Sequence, residues 1–166
     1  MNFIEAAGVT IAVANGACAG ADFARALDAD IRIAGDAATF SSADVPDPVA
    51  CATRLTRLLG EARAKELVLG ARTIDAASAL RLGLVTRVVP APALGDTVRQ
   101  LLDQLHALPP LAVRAVRDAV RATRELTPSE ALALEHQHFC RLIATDDHRA
   151  AVAAFFARSQ PAFTGQ

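Results

Sequence analysis

The sequence predicts an α/β fold with its strands in the first half and a run of helices behind them. Two observations on the order of elements carry this. Apolar runs of strand length, Val9–Ala14 and 30–34, lie in the first third of the chain. From residue 50 onward apolar positions recur at helical spacing, bounded by helix start and stop signals. Composition supports the pattern: 52% of the 166 residues are hydrophobic and 21% charged, enough for a globular core. Aromatics are only 4% and alanine is abundant, which favours helices packed through small side chains. The length suits one domain, and no internal repeat breaks the order of strands first, helices after.

Taken in order, Val9–Ala14 reads as a buried strand ended by Asn15-Gly16. A loop of small residues follows, then a short helix from Gly20 to about Asp28. Asp30–Ala34 and Thr39–Ser41 read as brief strands. "SADVPDPVA" (42–50) is expected to be a loop, since Pro46 and Pro48 block regular pairing. Glu61–Leu69 reads as a helix with a Glu61/Lys65 pair at i,i+4. Asp75 is a fitting N-cap for Ala76–Leu82, and Gly83 a fitting stop. "LVTRVV" (84–89) reads as one more strand, and Leu94–Ala107 as a helix. Pro109-Pro110 opens a helix to about Glu125, proline fitting the first turn. Thr127-Pro128-Ser129-Glu130 has capping-box spacing and starts a helix to about Ala144. Asp146 is expected to cap the last helix, which runs to about Arg158.

Charge and cysteine content exclude several function classes. The 17 basic and 18 acidic residues leave a formal net charge of −1, so nothing points to nucleic acid. Arg114, Arg117, Arg121 and Arg124 recur at helical spacing and read as a solvated face, without the interleaved aromatics of an RNA surface. Three cysteines (Cys18, Cys51, Cys140) at unrelated spacings give neither a zinc pattern nor a disulfide framework. A reducing, cytoplasmic setting is the simple expectation. "MNFIEAAGVTIAV" has no basic leader region, and its apolar run is too short for a membrane span. His136 and His138 are two apart, so they do not share a helix face. They flank a stripe of Leu132, Phe139, Leu142 and Ile143 and are expected to pack at its edge rather than to hold a metal.

One stretch is more specific. "VTIAVANGACAG…DADIRIAGDAATFSSADV" resembles the second half of the crotonase superfamily, the enoyl-CoA hydratases and isomerases. There a strand ending in Asn-Gly precedes a Gly-rich turn, a short helix, an Asp-Ile-Arg-Ile-Ala strand and a phenylalanine just before a short loop. The spacing from Asn15 through Asp30 to Phe40 fits without a gap. "RLTRLLGEARAKELVLGARTIDAASALRLGLVTRVVP", "PPLAVRAVRDAV", "ALALEH" and "AAFFARSQPAFTG" continue the likeness to the C-terminus. The resemblance implies the C-terminal half of a ββα spiral core over residues 1–90 and a helical oligomerisation region over 91–166.

It also implies a chemistry. In such proteins the loop and helix start form half of an oxyanion hole for a thioester carbonyl becoming an enolate. Gly20 lets the backbone approach the coenzyme A thioester, and Ala21 falls where the family's amide donor lies. Phe155 and Arg158 fall where related proteins contact the adenine nucleotide of coenzyme A. Arg158 replaces a lysine there, keeping charge but not shape. Phe155 reads equally well as a core residue. No tightly bound cofactor is implied, the coenzyme A thioester being substrate.

The chain departs from the family pattern at five points. It starts at the strand before Asn15, so the early strands and the other oxyanion donor are expected from another chain. The first catalytic glutamate of a hydratase would fall at Ala24. The second acidic position falls at Asp44, one methylene shorter than glutamate, and a misplacement near ~1 Å is worth on the order of 100-fold in rate. "PDPVACATRL" is shorter than the family's Gly-rich segment, so one pocket wall differs. Asp22 replaces a glycine within the turn. Its charge would repel an enolate by roughly 4 kcal/mol at ~4 Å and an effective dielectric of ~20. Asp22 is therefore read first as a helix cap, with an acid/base role as the alternative.

Two readings follow. One is a lyase or isomerase acting on an acyl-CoA or acyl-carrier thioester. Hydration needs two carboxylates, so one acid favours double-bond isomerisation or decarboxylation. The other is an inactive family member with a structural or regulatory role. In both, a homo-oligomer or a partner chain supplying the upstream half is expected, with neither nucleic acid nor membrane.

Overall fold

The computed structural model describes residues 1–166, apart from the side chain of Ala50. The chain divides into two compact units, Met1–Glu5 with Thr10–Leu101, and Ala6–Val9 with Leu102–Gln166.

The first unit holds two sheets. The larger has the order β1-β2-β4-β7, with β1 Asn2–Ala6, β2 Val9–Ala14, β4 Ile31–Gly35 and β7 Arg87–Val89. β2 runs parallel to β4, pairing Ile11 with Ile31 through Ala14 with Ala34, and β4 runs parallel to β7. Interior parallel strands are covered on both faces, which is why "IAVA" (11–14) and "IAG" (33–35) are apolar without alternation and buried throughout. The smaller sheet sets β3 (Ala17–Cys18) parallel to β5 (Thr39–Ser41), and β5 antiparallel to β6 (Thr73–Asp75). Helices α1 (Gly20–Asp28), α2 (Pro48–Leu59), α3 (Glu61–Leu69) and α4 (Ala76–Leu82) accompany them. Phe23, Leu27, Phe40, Leu55 and Leu84 fill the core, with alanines where elements come close.

Two polar ties lock this unit. The Asp30 carboxylate accepts both the amide and the hydroxyl of Thr10, each at 2.8 Å, clipping β2 to the start of β4. Arg32, only 7% exposed, donates from Nε to the Leu84 carbonyl at 2.6 Å and from Nη1 to Ala29 at 2.6 Å and Ala26 at 3.3 Å. It thereby satisfies carbonyls at the C-terminal end of α1, where a cation also complements the helix dipole.

The second unit is helical. α5 (Leu94–His106) leads into it, followed by α6 (Pro110–Ala122), α7 (Pro128–Leu142) and α8 (Asp146–Ala157). α7 carries the expected capping box between Thr127 and Glu130. Arg117 is no solvated side chain: it bonds the Gly8 carbonyl within this unit. The buried Asp147 carboxylate accepts the amides of Thr164 at 2.7 Å and Gly165 at 3.0 Å, folding the C-terminal residues onto the start of α8.

Several expectations are corrected. Strands β1, β3 and β6 were not anticipated. β7 starts at Arg87, because the Leu84 and Val85 amides still bond the Ala79 carbonyl and wrap the end of α4. α2 starts within the proline loop, at Pro48, since proline suits a first helical position and Asp47 Oδ1 accepts the Val49 amide at 3.0 Å. α6 and α7 each end a few residues early, at Ala122 and Leu142. The cap of α8 is Thr145, whose hydroxyl accepts the His148 amide at 3.2 Å; Asp146 is the first helical residue and pairs with Arg149. Leu132 and Phe139 on α7 are exposed rather than packed.

Candidate functional site

α1 begins at a backbone turn, not at a capping side chain. Its N-cap is Ala19, which offers no side-chain acceptor. Gly20 follows with φ +57°, in the left-handed region glycine tolerates. Phe23 bonds back to the Ala19 carbonyl at 3.3 Å, and the Gly20 amide donates to the Ala43 carbonyl at 3.1 Å. The amides of Ala21 and Asp22 remain in the first turn, where the helix itself supplies no acceptor. Ala21 is exposed.

Asp22 is not the cap. It is the third helical residue, half exposed, and its Oδ2 lies 4.0 Å from the Met1 ammonium. An acid in a first turn is favoured by the helix dipole without touching an amide. Its charge also reaches the neighbouring thiol. Burial, and secondly Asp22, push Cys18 up to about 12. Ala24, half buried on α1, leaves Asp22 and Asp28 as the only acids of that helix, and Asp28 is paired with Arg54.

Asp44 comes to the same place from the other side. It follows β5 in a turn and holds φ +59°. A methyl group built on Gly20 would lie 3.2 Å from the Asp44 carbonyl oxygen, so the two backbones are in contact. The Asp44 side chain is exposed, and among the described residues its carboxylate has no hydrogen bond or ion pair. The structure thus brings together Gly20, Ala21, Asp22 and Asp44.

Two serines that the sequence reading passed over secure this turn. Ser41 Oγ accepts the Ala43 amide at 3.1 Å, and Ser42 Oγ donates to the Leu67 carbonyl at 2.7 Å. A pair of serines between a strand and an acid is a turn signal of the kind that local side-chain bonds produce.

Phe155 and Arg158 lie in the second unit. Phe155 is 79% exposed, edge-to-face against Phe156 with ring centroids 5.6 Å apart, so the core reading is wrong. Arg158 closes α8 with φ +52°. Among the described residues no three His, Cys, Asp or Glu side chains converge on a metal-sized site. No described helix is long and apolar enough to cross a membrane.

The family model described as enoyl-CoA hydratase/isomerase matches residues 2–166. A Mycobacterium tuberculosis protein named "Probable enoyl-CoA hydratase echA8" is 36% identical over 159 residues, covering 93% of this chain and 62% of its own length. The 2,3-dehydroadipyl-CoA hydratase of Escherichia coli is 34% identical over 160 residues, covering 94% and 63%. An enoyl-CoA hydratase/isomerase crystal structure from Cupriavidus metallidurans superposes with a TM-score of 0.82 at 34% identity, covering 93% of this chain and 60% of the other. The chain therefore spans about three fifths of the length of these relatives.

Proposed function

Since the chain belongs to the enoyl-CoA hydratase/isomerase family, we propose that it acts on acyl-CoA or acyl-carrier thioesters through an enolate held at the start of α1. The Gly20–Ala43 hydrogen bond carries this reading, because it holds the Asp44 turn against the helix end that bears the Ala21 amide. Ala21 N–H donates to the thioester oxygen as negative charge develops there. One such preorganised donor is worth on the order of 100- to 1,000-fold in rate. Asp44 takes a proton from one carbon and returns it to another. Phe155 and Arg158 meet the nucleotide end of a coenzyme A across a subunit boundary. A homo-oligomer or a partner chain is part of this reading.

The names of the relatives speak of hydration. Ala24 argues for a different outcome here, because adding water across a double bond needs one group to activate water and another to protonate carbon. Proton handling by Asp44 alone suits double-bond isomerisation, or decarboxylation with proton return. Ala24 also favours a second reading, an inactive subunit that supports an assembly through exposed apolar residues such as Val116, Val120 and Phe156.

Incubating the protein in deuterated water with crotonyl-CoA or a 3-enoyl-CoA separates the two. Deuterium at the α or γ carbon, abolished in Asp44→Asn, is the expected result. No uptake with any thioester leaves the assembly role.

A further inference from the structure

The geometry points to Ser41 and Ser42 as the positioning residues that hold Asp44 at the start of α1, an inference that rests on the enolate reading above. Asp44 itself has nothing to hold its side chain in place, so its position is inherited from its backbone. That backbone is fastened from three directions. From β5, Ser41 Oγ accepts the Ala43 amide at 3.1 Å and bends the chain out of the strand; Ser41 is 7% exposed, so its hydroxyl works away from competing water. From α3, the Leu67 carbonyl, in the last turn where a helix has no acceptor use for it, receives the Ser42 hydroxyl at 2.7 Å. From α1, the Gly20 amide reaches the Ala43 carbonyl at 3.1 Å.

The three bonds converge on consecutive residues, Ser41 to Ala43, immediately before a non-glycine residue with φ +59°. A left-handed aspartate is held only while its surroundings over-determine it. Without the serine hydroxyls the turn keeps one bond of three and relaxes toward ordinary φ. The carboxylate then swings relative to the Ala21 amide. Neither serine touches the thioester in this scheme; both act through Asp44.

The test uses the full chain and the variants Ser41→Ala, Ser42→Ala and Ser42→Thr. With 3-enoyl-CoA in deuterated water, each alanine variant is expected to lose about 10-fold or more in exchange rate at saturating thioester, with KM changed less than about 2-fold. Threonine at 42 keeps the hydroxyl and is expected to restore the rate, which a purely packing effect would not produce. Wild-type rates in both alanine variants overturn the inference. If wild type itself shows no uptake dependent on Asp44, the enolate reading fails, and hydrogen exchange at the Gly20 amide decides the serines separately. Faster exchange in both alanine variants keeps their role in fastening the turn, and unchanged exchange removes it.

Discussion

Arg32 and Leu84 are joined by a buried hydrogen bond, 2.6 Å from guanidinium Nε to carbonyl oxygen, that ties β4 to the segment leading into β7. The same side chain serves two carbonyls at the end of α1. Arg32→Met fills similar space but leaves these acceptors without their donor. We expect a loss of about 3 kcal/mol in urea unfolding, since each unsatisfied buried group forfeits roughly 1–3 kcal/mol and relaxation recovers part of it. A loss below about 0.5 kcal/mol, the range of an ordinary surface substitution, would show that the carbonyls find other partners.

Gly20→Ala is the second test. It puts a side chain at φ +57° and a methyl 3.2 Å from the Asp44 carbonyl oxygen. The left-handed conformation alone costs about 1–2 kcal/mol, and the crowding moves the Asp44 turn as well. Denaturant titration should show the destabilisation, and the Ala43–Asp44 resonances should shift. An unchanged midpoint would mean that α1 starts differently.

The thiols give a pH signature. Cys18 is raised from its ordinary 9.0 to about 12, mainly by burial, and Cys51 is raised for the same primary reason. A folded-state value above the unfolded one means that the stability is fully present below pH 9 and is lost as pH climbs toward 12. Unfolding midpoints should therefore fall on the alkaline side, less steeply in Cys18→Ala. Native protein should react with a disulfide reagent at the exposed Cys140 alone. Rapid labelling of Cys18 would contradict its burial.

The α7 capping box predicts an acidic signature. Side-chain and backbone bonds from Thr127 hold the Glu130 carboxyl below its ordinary 4.5. Stability from a depressed carboxylate is present above that value and fades as pH falls through the folded-state one. Thr127→Ala should return the Glu130 titration, followed by carbon NMR, toward 4.5. An unaltered titration would assign the shift elsewhere.

The long elements were legible in the sequence because each announces itself locally. α4 lies between Asp75 and Gly83 as expected, and α7 starts at the Thr127 box. Strands β3 and β6 were not legible, since two or three residues carry no periodicity and exist only through their pairing to β5. At the site, the spacing from Asn15 through Phe40 is enough to mark Gly20 and Asp44. Asp22 misled because an acid near a helix start satisfies the same sequence rule at the cap or in the first turn. The exposure of Leu132 and Phe155 was equally hidden: an apolar stripe says that a face is greasy, not what it meets. Ser41 and Ser42 escaped notice because a turn serine reveals its partner only when the loop is folded against Leu67 and Gly20.

The left-handed backbone of Asp44 changes the meaning of its shorter arm. Aspartate and asparagine enter that conformation far more readily than longer acids, because a short polar group can be accommodated beside its own peptide. Lengthening the arm by a methylene therefore gains reach and loses comfort at the same atom. A glutamate at this position would therefore bear a left-handed penalty of about 1–2 kcal/mol that relaxation of the turn would relieve, so the shape of the turn and the choice of acid are coupled.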